Sequence, residues 1–436
     1  MIPRLSNLDK AAKTIVFGAW FGWALDGYDL VLMLFVISSV SQLFFPTGDQ
    51  RLSLLATFAT YAVTLVVRPL GGALFGSFGD KVGRKRAMLI TIIGFSCATF
   101  ATGLLPTWQA AGLISPLLLV VLRISQGLFA GGEWGSGAVI SMESVSNSSR
   151  GIVSGFIQSG FPFGFLIASL AYGGISIVYQ GNSFLEMGWR MMFFTGIVPS
   201  LLALALRLRM NESELWNEKL ERQTLEKAPL KKAVSGINGR RFFLTLIITT
   251  GLMYSYYASI GFMPTLLSQY VHLKESEVAV IMAAATFSSM TGYIFAGWLS
   301  QRVGRIRTMG IFAALTTVLA VPLLMGLYHA SSDIERTLYT SMLIVAATSG
   351  FGPIPAFLSE RFPTEIRNTA SGFVFNAGLI MGAWAPLVAV ELSTGSAGLQ
   401  PIFFGLNLMV GGVLVLVGLK LNPETRNTDL RSTIAV

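Results

Sequence analysis

A single cysteine, Cys97, stands in 436 residues, so no disulfide can close within the chain and no cysteine cluster can hold a metal. Its expected place is that of a small apolar side chain in the core. Charge is scarce as well: Asp, Glu, Lys and Arg make up 12% of the chain, against roughly 25% in soluble domains. The two histidines, His272 and His329, fall in or beside predicted external loops, where a surface role is expected rather than proton relay. No metal-ligand spacing, phosphate-cradling Walker loop or nucleophile–base arrangement occurs, which argues against an enzyme and against an ATP-driven pump. No cleavable signal peptide is predicted, because the first apolar run is too long and lacks a small-residue cleavage site after it. The 46 glycines lie scattered within apolar runs, without the triplet period of collagen.

What is present is apolar. Hydrophobic residues make up 53% of the chain and mean hydropathy is +0.64. About twelve runs approach the ~20 residues that cross a hydrocarbon core. They extend over 14–38, 54–78, 87–105, 114–140, 151–178, 188–206, 241–267, 276–299, 308–328, 337–359, 368–391 and 399–421. The net charge of +9 sorts by segment: 25 of the 31 basic residues lie at the two ends or in every second connection. Arg51, Arg190, Lys274 and Arg336 occupy the other connections, and Arg68 and Arg123 lie inside spans. Such a bias predicts both termini in the cytoplasm. The excess of positive charge therefore records topology, and no nucleic-acid partner is implied.

The longest polar stretch, residues 207–241, carries nine Lys/Arg and five Glu, with Glu218 and Arg222 at helix-supporting spacing. It divides the chain into 1–206, a cytoplasmic linker 207–240, and 241–436. The two parts repeat. "GSFGDKVGRKR" (76–86) matches "GWLSQRVGRIR" (297–307), and "ESVSNSSRGIVSG" (143–155) matches "ERFPTEIRNTASG" (360–372). The predicted fold is all-α: a polytopic membrane protein of 12 transmembrane helices in two pseudo-symmetric six-helix bundles, with any substrate site between them near the midplane.

The "GxxxDKVGRKR" loop and its weaker second copy resemble the signature of the major facilitator superfamily, over essentially the whole chain. The resemblance implies that spans one, four, seven and ten line a central cavity. It also implies that Asp80 pairs across a cytoplasmic helix end, while Arg84 beside Gly83 helps to lock the inner gate. Arg150, Arg305 and Arg367 occupy the repeated gate positions. Gln301 stands where the second copy should have an acid, so gate charge is predicted to differ between halves.

Charges inside the spans demand partners, because a carboxylate near the bilayer centre costs at least a few kcal/mol. Asp26 and Asp29 lie on the first span, where Gly18, Gly22 and Asp26 form a stripe expected to pack closely on a neighbour. The fourth span carries Arg123, Gln126 and Glu133, the two ends of this track about 15 Å apart along a helix. The expectation is that Asp26, Asp29 or Glu133 pairs with Arg123 in one state and takes a proton in another. The alternatives are that Arg123 is a static lock within the N-terminal half and that Glu133 forms a structural salt bridge. Arg68 serves the cavity or pairs with span one; the sequence leaves both open. The seventh span offers Tyr254, Tyr256 and Tyr257, read as an interfacial belt more readily than as a ligand cage. On the eleventh, Asn376 could bind substrate or a neighbouring helix, and Glu391 lies toward the outer end.

"WALDGYDLVLM", "RISQGLFAGGEWGSGAVISMES" and "MGWRMMFFTGIVPSLLALALRLRMNESELWNE" resemble the sialate:proton, metabolite:proton and aromatic-acid:proton symporter families. Bacterial sialic acid carriers have two further spans near the middle, where this chain has only its linker. The resemblance implies proton symport of an organic acid anion, with Asp26, Asp29, Arg123 and Glu133 as the functional set. Arg68, Gln126, Tyr254, Tyr257 and Asn376 complete the candidate substrate site. A drug/proton antiporter, whose fifth span usually carries a Gly-Pro run unlike "SGFPFGFL" here, and a facilitative sugar carrier are the alternatives. Protons are the coupling ion, no cofactor is implied, and the protein is expected to act as a monomer in the plasma (inner) membrane.

Overall fold

A computed structural model describes residues 10–82, 84–132, 134–208, 229–363, 366–393 and 397–430, and every regular element among them is helical. Span 1 is Lys10–Phe44, span 2 Gln50–Val82 and span 3 Arg84–Gly103. Span 4 joins Ile114–Ala130 to Trp134–Glu143, span 5 joins Arg150–Gln158 to Gly160–Val178, and span 6 joins Trp189–Thr195 to Ile197–Leu208. Span 7 begins as Gly236–Ala258 and runs on to Tyr270; spans 8 and 9 are Glu275–Val303 and Arg305–His329. Span 10 joins Asp333–Thr348 to Ile354–Arg361, span 11 joins Arg367–Gly382 to Ala385–Leu392, and span 12 is Gln400–Lys420. Among the described residues, nine helices are long and apolar enough to cross a membrane, and Leu89–Gly103 and Ile114–Ala130 are shorter apolar helices. The linker pair Glu218 and Arg222 lies outside the described residues.

The distribution of polarity is that of a protein dissolved in lipid. Asp26, Asp29, Arg68, Arg123, Gln126 and Gln158 are buried, while Leu70, Ile177, Val280 and Val318 project outward. Cys97, expected in the core, is exposed on span 3. Apolar surroundings lie outside such a helix too, so a small apolar side chain gains little by turning inward.

Several spans are interrupted. Span 4 breaks at Gly131 and Gly132, span 7 turns at Ser259–Phe262, and span 10 breaks at 349–353. Broken helices present free backbone groups at membrane depth, tolerable only where protein or a cavity covers them. Within the first six spans, span 1 packs along span 5 and span 2 along span 4; within the last six, span 12 packs on spans 7 and 9. Span 5 lies along span 8, and span 2 along span 11, so each pair joins one half to the other. Ala12 and Val16 cluster with Val145, Val153 and Leu430, which puts the first and last described segments of the chain on one face of the protein.

The packing stripe on span 1 differs from the one expected. A Cβ added at Gly18 meets nothing within 4 Å, whereas one at Gly27 would lie 2.6 Å from the Phe161 carbonyl oxygen. Gly160 and Gly164 of span 5 face Trp20 and Ala24. Positions 20, 24 and 27 share one helix face, and that face, rather than the one carrying Gly18, is what span 5 covers. Gly27→Val should therefore drive the two helices apart and destabilise the protein by about 1–3 kcal/mol. Thermal unfolding in detergent should show a clear fall for Gly27→Val and none for Gly18→Val.

Candidate functional site

Between the halves lies a small cavity of about 30 Å³ whose walls come from spans 1, 2, 5, 7, 8, 10 and 11. Most of its surface is aromatic: Trp23, Phe161, Tyr256, Tyr257, Phe351 and Phe375 all line it. Arg68 supplies a charge and Gln158 an amide. An apolar hollow with a few convergent polar groups is the usual form of a small-molecule site.

The central contact is an ion pair. Arg68 Nη2 donates to Asp26 Oδ2 at 2.7 Å, with both side chains at least 97% buried. The same nitrogen reaches the Ala130 carbonyl oxygen at 3.3 Å. Span 4 breaks there, and the carbonyls of a helix's last turn have no partner within the helix. Sequence and packing thus set the arginine between a carboxylate and a negative helix end. The sequence had left Arg68 between cavity and span one; it joins both.

Arg123 differs from expectation. It forms no ion pair with Asp26, Asp29 or any other described acid. Its Nη1 donates to Gln126 Oε1 at 2.6 Å, Gln126 Nε2 donates to Thr99 Oγ1 at 3.0 Å, and its guanidinium lies 5.2 Å from the Phe193 ring centre. The Nε and Nη2 atoms have no hydrogen-bond partner among the described residues. The reason is rotation: this face of span 4 turns toward spans 3 and 6, away from the side of span 1 that carries Asp26. Asp29 turns toward span 6 as well, its Oδ1 2.9 Å from where a Cβ on Gly196 would lie. Glu133 and Gly83 fall outside the described residues. Asp80 and Arg84 lie on the helices that flank Gly83.

The tyrosines of span 7 do not form an interfacial belt; all three are buried. Tyr257 and Tyr256 face the cavity. Tyr254 does not line it, because its hydroxyl donates to Asn407 Oδ1 at 2.6 Å on span 12. Asn376 spends its amide on the Gly372 carbonyl one turn back, at 2.9 Å. Gln126 is held by Arg123 and Thr99, outside the cavity wall. Three lining residues escaped the sequence reading as binding groups. Trp23 Nε1, Gln158 Oε1 and Tyr256 Oη are buried atoms without a hydrogen-bond partner among the described residues, although native proteins pair nearly all such atoms. Gln158 had a legible signal, a lone amide within an apolar span; Trp23 lies one turn before Asp26. The stacked pair Trp134–Phe375, with ring centres 3.6 Å apart, closes one side of the cavity across the two halves. It had no signal, since aromatic residues are ordinary in membrane spans.

Both faces are tied. On the face carrying the chain ends, Arg367 Nη1 donates to Glu143 Oε1 at 2.6 Å. Glu360 accepts from Arg305 at 3.0 and 3.2 Å and lies 3.9 Å from Arg150. Gln301 Oε1 accepts from Gly151 N and from Arg305 Nη2, both at 3.0 Å, so the amide still accepts where the repeat would have an acid. On the opposite face an exposed pair, Arg51–Glu391 at 2.5 Å, joins the halves, with Gln50 donating to Gln269. Exposed pairs contribute little. The first face is the firmer closure.

Over residues 19–386 the sequence matches the family model described as Major Facilitator Superfamily. It is 29% identical over 434 residues to the glycine betaine/proline/ectoine/pipecolic acid transporter OusA of Dickeya dadantii, covering 97% of this chain and 85% of that one. The inner membrane metabolite transport protein YhjE of Escherichia coli is 30% identical over 97% of this chain and 96% of its own. Among solved structures, a D-xylose–proton symporter superposes with a TM-score of 0.75 at 19% identity, covering 95% of this chain and 98% of its own. At that identity the likeness speaks for the fold.

Breaking a buried pair by removing one partner costs about 3–5 kcal/mol, because the remaining charge is stranded. Arg68→Ala and Asp26→Ala should each lower thermal stability in detergent, and the double variant should lose less than the two losses combined. Strict additivity would show that the pair is not coupled.

Proposed function

The chain belongs to the major facilitator superfamily, and from that premise we propose that this transporter carries a small carboxylate-bearing solute together with protons. The carrying observation is the ion pair that Arg68, in the cavity wall, makes with Asp26 behind it. A solute carboxylate is a direct rival for the guanidinium, which it can grip through two parallel hydrogen bonds. Displaced from Arg68, Asp26 would be a bare charge in a nearly dry site, and a proton is the partner that restores neutrality. Solute and proton then load together, and neither charge is left bare. Asp29 stands one helical turn away as a second acid, while Arg123 keeps its place inside the first half.

The rest of the solute would lie against the rings of Trp23, Phe161, Tyr256 and Phe375, with Trp23 Nε1, Tyr256 Oη and Gln158 Oε1 open to its polar atoms. An apolar body suits these walls. So does a methylated ammonium, since ring faces attract cations; a relative named for glycine betaine and proline supports that second reading, a zwitterion with the same carboxylate. Two six-span bundles, 1–206 and 241–436, would rock about the cavity, joined by the linker 207–240. The charge bias of the loops and a relative named as an inner membrane protein support the plasma (inner) membrane, with both termini cytoplasmic.

Proteoliposomes with an inward acid gradient test this. Labelled lactate, benzoate and sialic acid, with glycine betaine and proline beside them, should include at least one solute that accumulates and is lost on adding a protonophore. Accumulation of cationic dyes alone would favour antiport, and gradient-independent sugar entry a facilitative carrier. Asp26→Asn should abolish gradient-driven accumulation and leave counterflow exchange partly intact. An Asp26→Asn variant that concentrates solute as the parent does would remove the coupling assignment.

A further inference from the structure

After span 12 ends at Lys420, residues 421–430 do not leave the protein; they cross the face that carries the chain ends. The crossing starts at Glu424. Its carboxylate accepts from the backbone N–H groups of Arg305 and Ile306, at 2.8 and 3.1 Å, at the start of span 9. Thr425 Oγ1 then donates to Glu360 Oε2 at 2.9 Å, and Arg426 donates to the Arg302 carbonyl. To this point every partner lies in the second half.

At Asn427 the backbone turns through φ = 73°, a left-handed conformation that asparagine tolerates better than most residues. Beyond it the partners come from both halves. The Thr428 carbonyl accepts from Arg150 Nη1 at 2.8 Å, in the first half. The Leu430 carbonyl accepts from Arg367 Nη2 at 2.8 Å, and that arginine also holds Glu143 of the first half. The Leu430 side chain, 6% exposed, sinks into a small cluster formed by Ala12, Val16, Met142, Val145, Val153 and Ile157, all in the first half, together with Ala356. This cluster is separate from the main core of the protein. A segment rooted in one half thus drives an apolar plug into the other, beside the ion pairs that close this face.

We propose that residues 424–430 are a strap that holds the terminal face shut, and that Leu430 must leave its pocket before the halves can part there. The inference rests on the reading that the halves move against each other, but it concerns which contact restrains them and needs no solute. If the two halves separate at this face, Arg150 and the Leu430 pocket move with the first, and Glu424 and Thr425 with the second. The strap would be pulled from both ends, and the apolar plug holds it to the first half together with the contacts that Arg150 makes with the Thr428 carbonyl and with Asp429. Loss of the plug therefore shifts the balance toward opening on this face.

The test is a distance measurement on the full chain. With Cys97→Ser as background, Ser148→Cys and Arg307→Cys place one spin label on each half at this face, and pulsed electron resonance in liposomes reads their separation. Leu430→Glu should raise the ratio of wide to narrow separations about tenfold, the scale of losing one buried leucine. Leu430→Met, which keeps the plug, should match the parent. A second pair avoids adding charge to a pocket. Asn427→Pro cannot adopt positive φ and should open the face, whereas Asn427→Gly keeps the turn and should not. Distributions for Leu430→Glu and Asn427→Pro that superimpose on the parent would overturn the strap. These distances are read without solute or proton gradient, so failure of the transport assignment leaves the result standing.

Discussion

Everything in this protein turns on neutralising charge where water is scarce. Arg68 and Asp26 sit 2.7 Å apart, almost wholly buried within the first bundle, with Arg68 in the wall of the cavity between the halves. Either ion alone would be costly at such a depth; together, with a helix-end carbonyl to share the guanidinium, they are tolerable. In the proposed function, that constraint would make the pair an exchange point. In that function, an anion that took the arginine would free the aspartate, which would then need a proton to stay neutral.

The surrounding architecture would suit such an exchange. The break in span 4 brings a carbonyl to Arg68, and the glycine contact at Gly27 fixes the rotation of span 1 so that Asp26 faces span 2. Aromatic rings from both halves shape the cavity, and the stacked Trp134–Phe375 pair closes it toward the terminal face. The two closures differ in kind. Buried arginines, glutamates and a crossing C-terminal segment seal one face, and an exposed pair joins the other. A carrier so built would open more readily on the face opposite its termini.

Much of this was legible in the residues. Spans read well because hydropathy averages over some twenty residues and lipid enforces that length. The repeated loops pointed to Arg150, Arg305 and Arg367, all of which form cross-links at one face. Partnership inside the bundle was harder, because it depends on how each helix is rotated about its axis, a matter of side-chain packing between distant segments. Arg123 looked like the natural mate of the acids on span 1, yet its face of span 4 meets Thr99 and Phe193. Tyr254 looked equivalent to Tyr257 and proved to belong to a contact with Asn407. The Leu430 plug gave no signal at all, being one leucine in a polar tail.

Linkage between proton and solute is the central claim, and calorimetry of solute binding in buffers of differing ionisation enthalpy tests it most directly. The account predicts that binding of the transported carboxylate near neutral pH takes up about one proton, and that Asp26→Asn binds without taking up any. Binding by the parent protein with no proton uptake at any pH would contradict it.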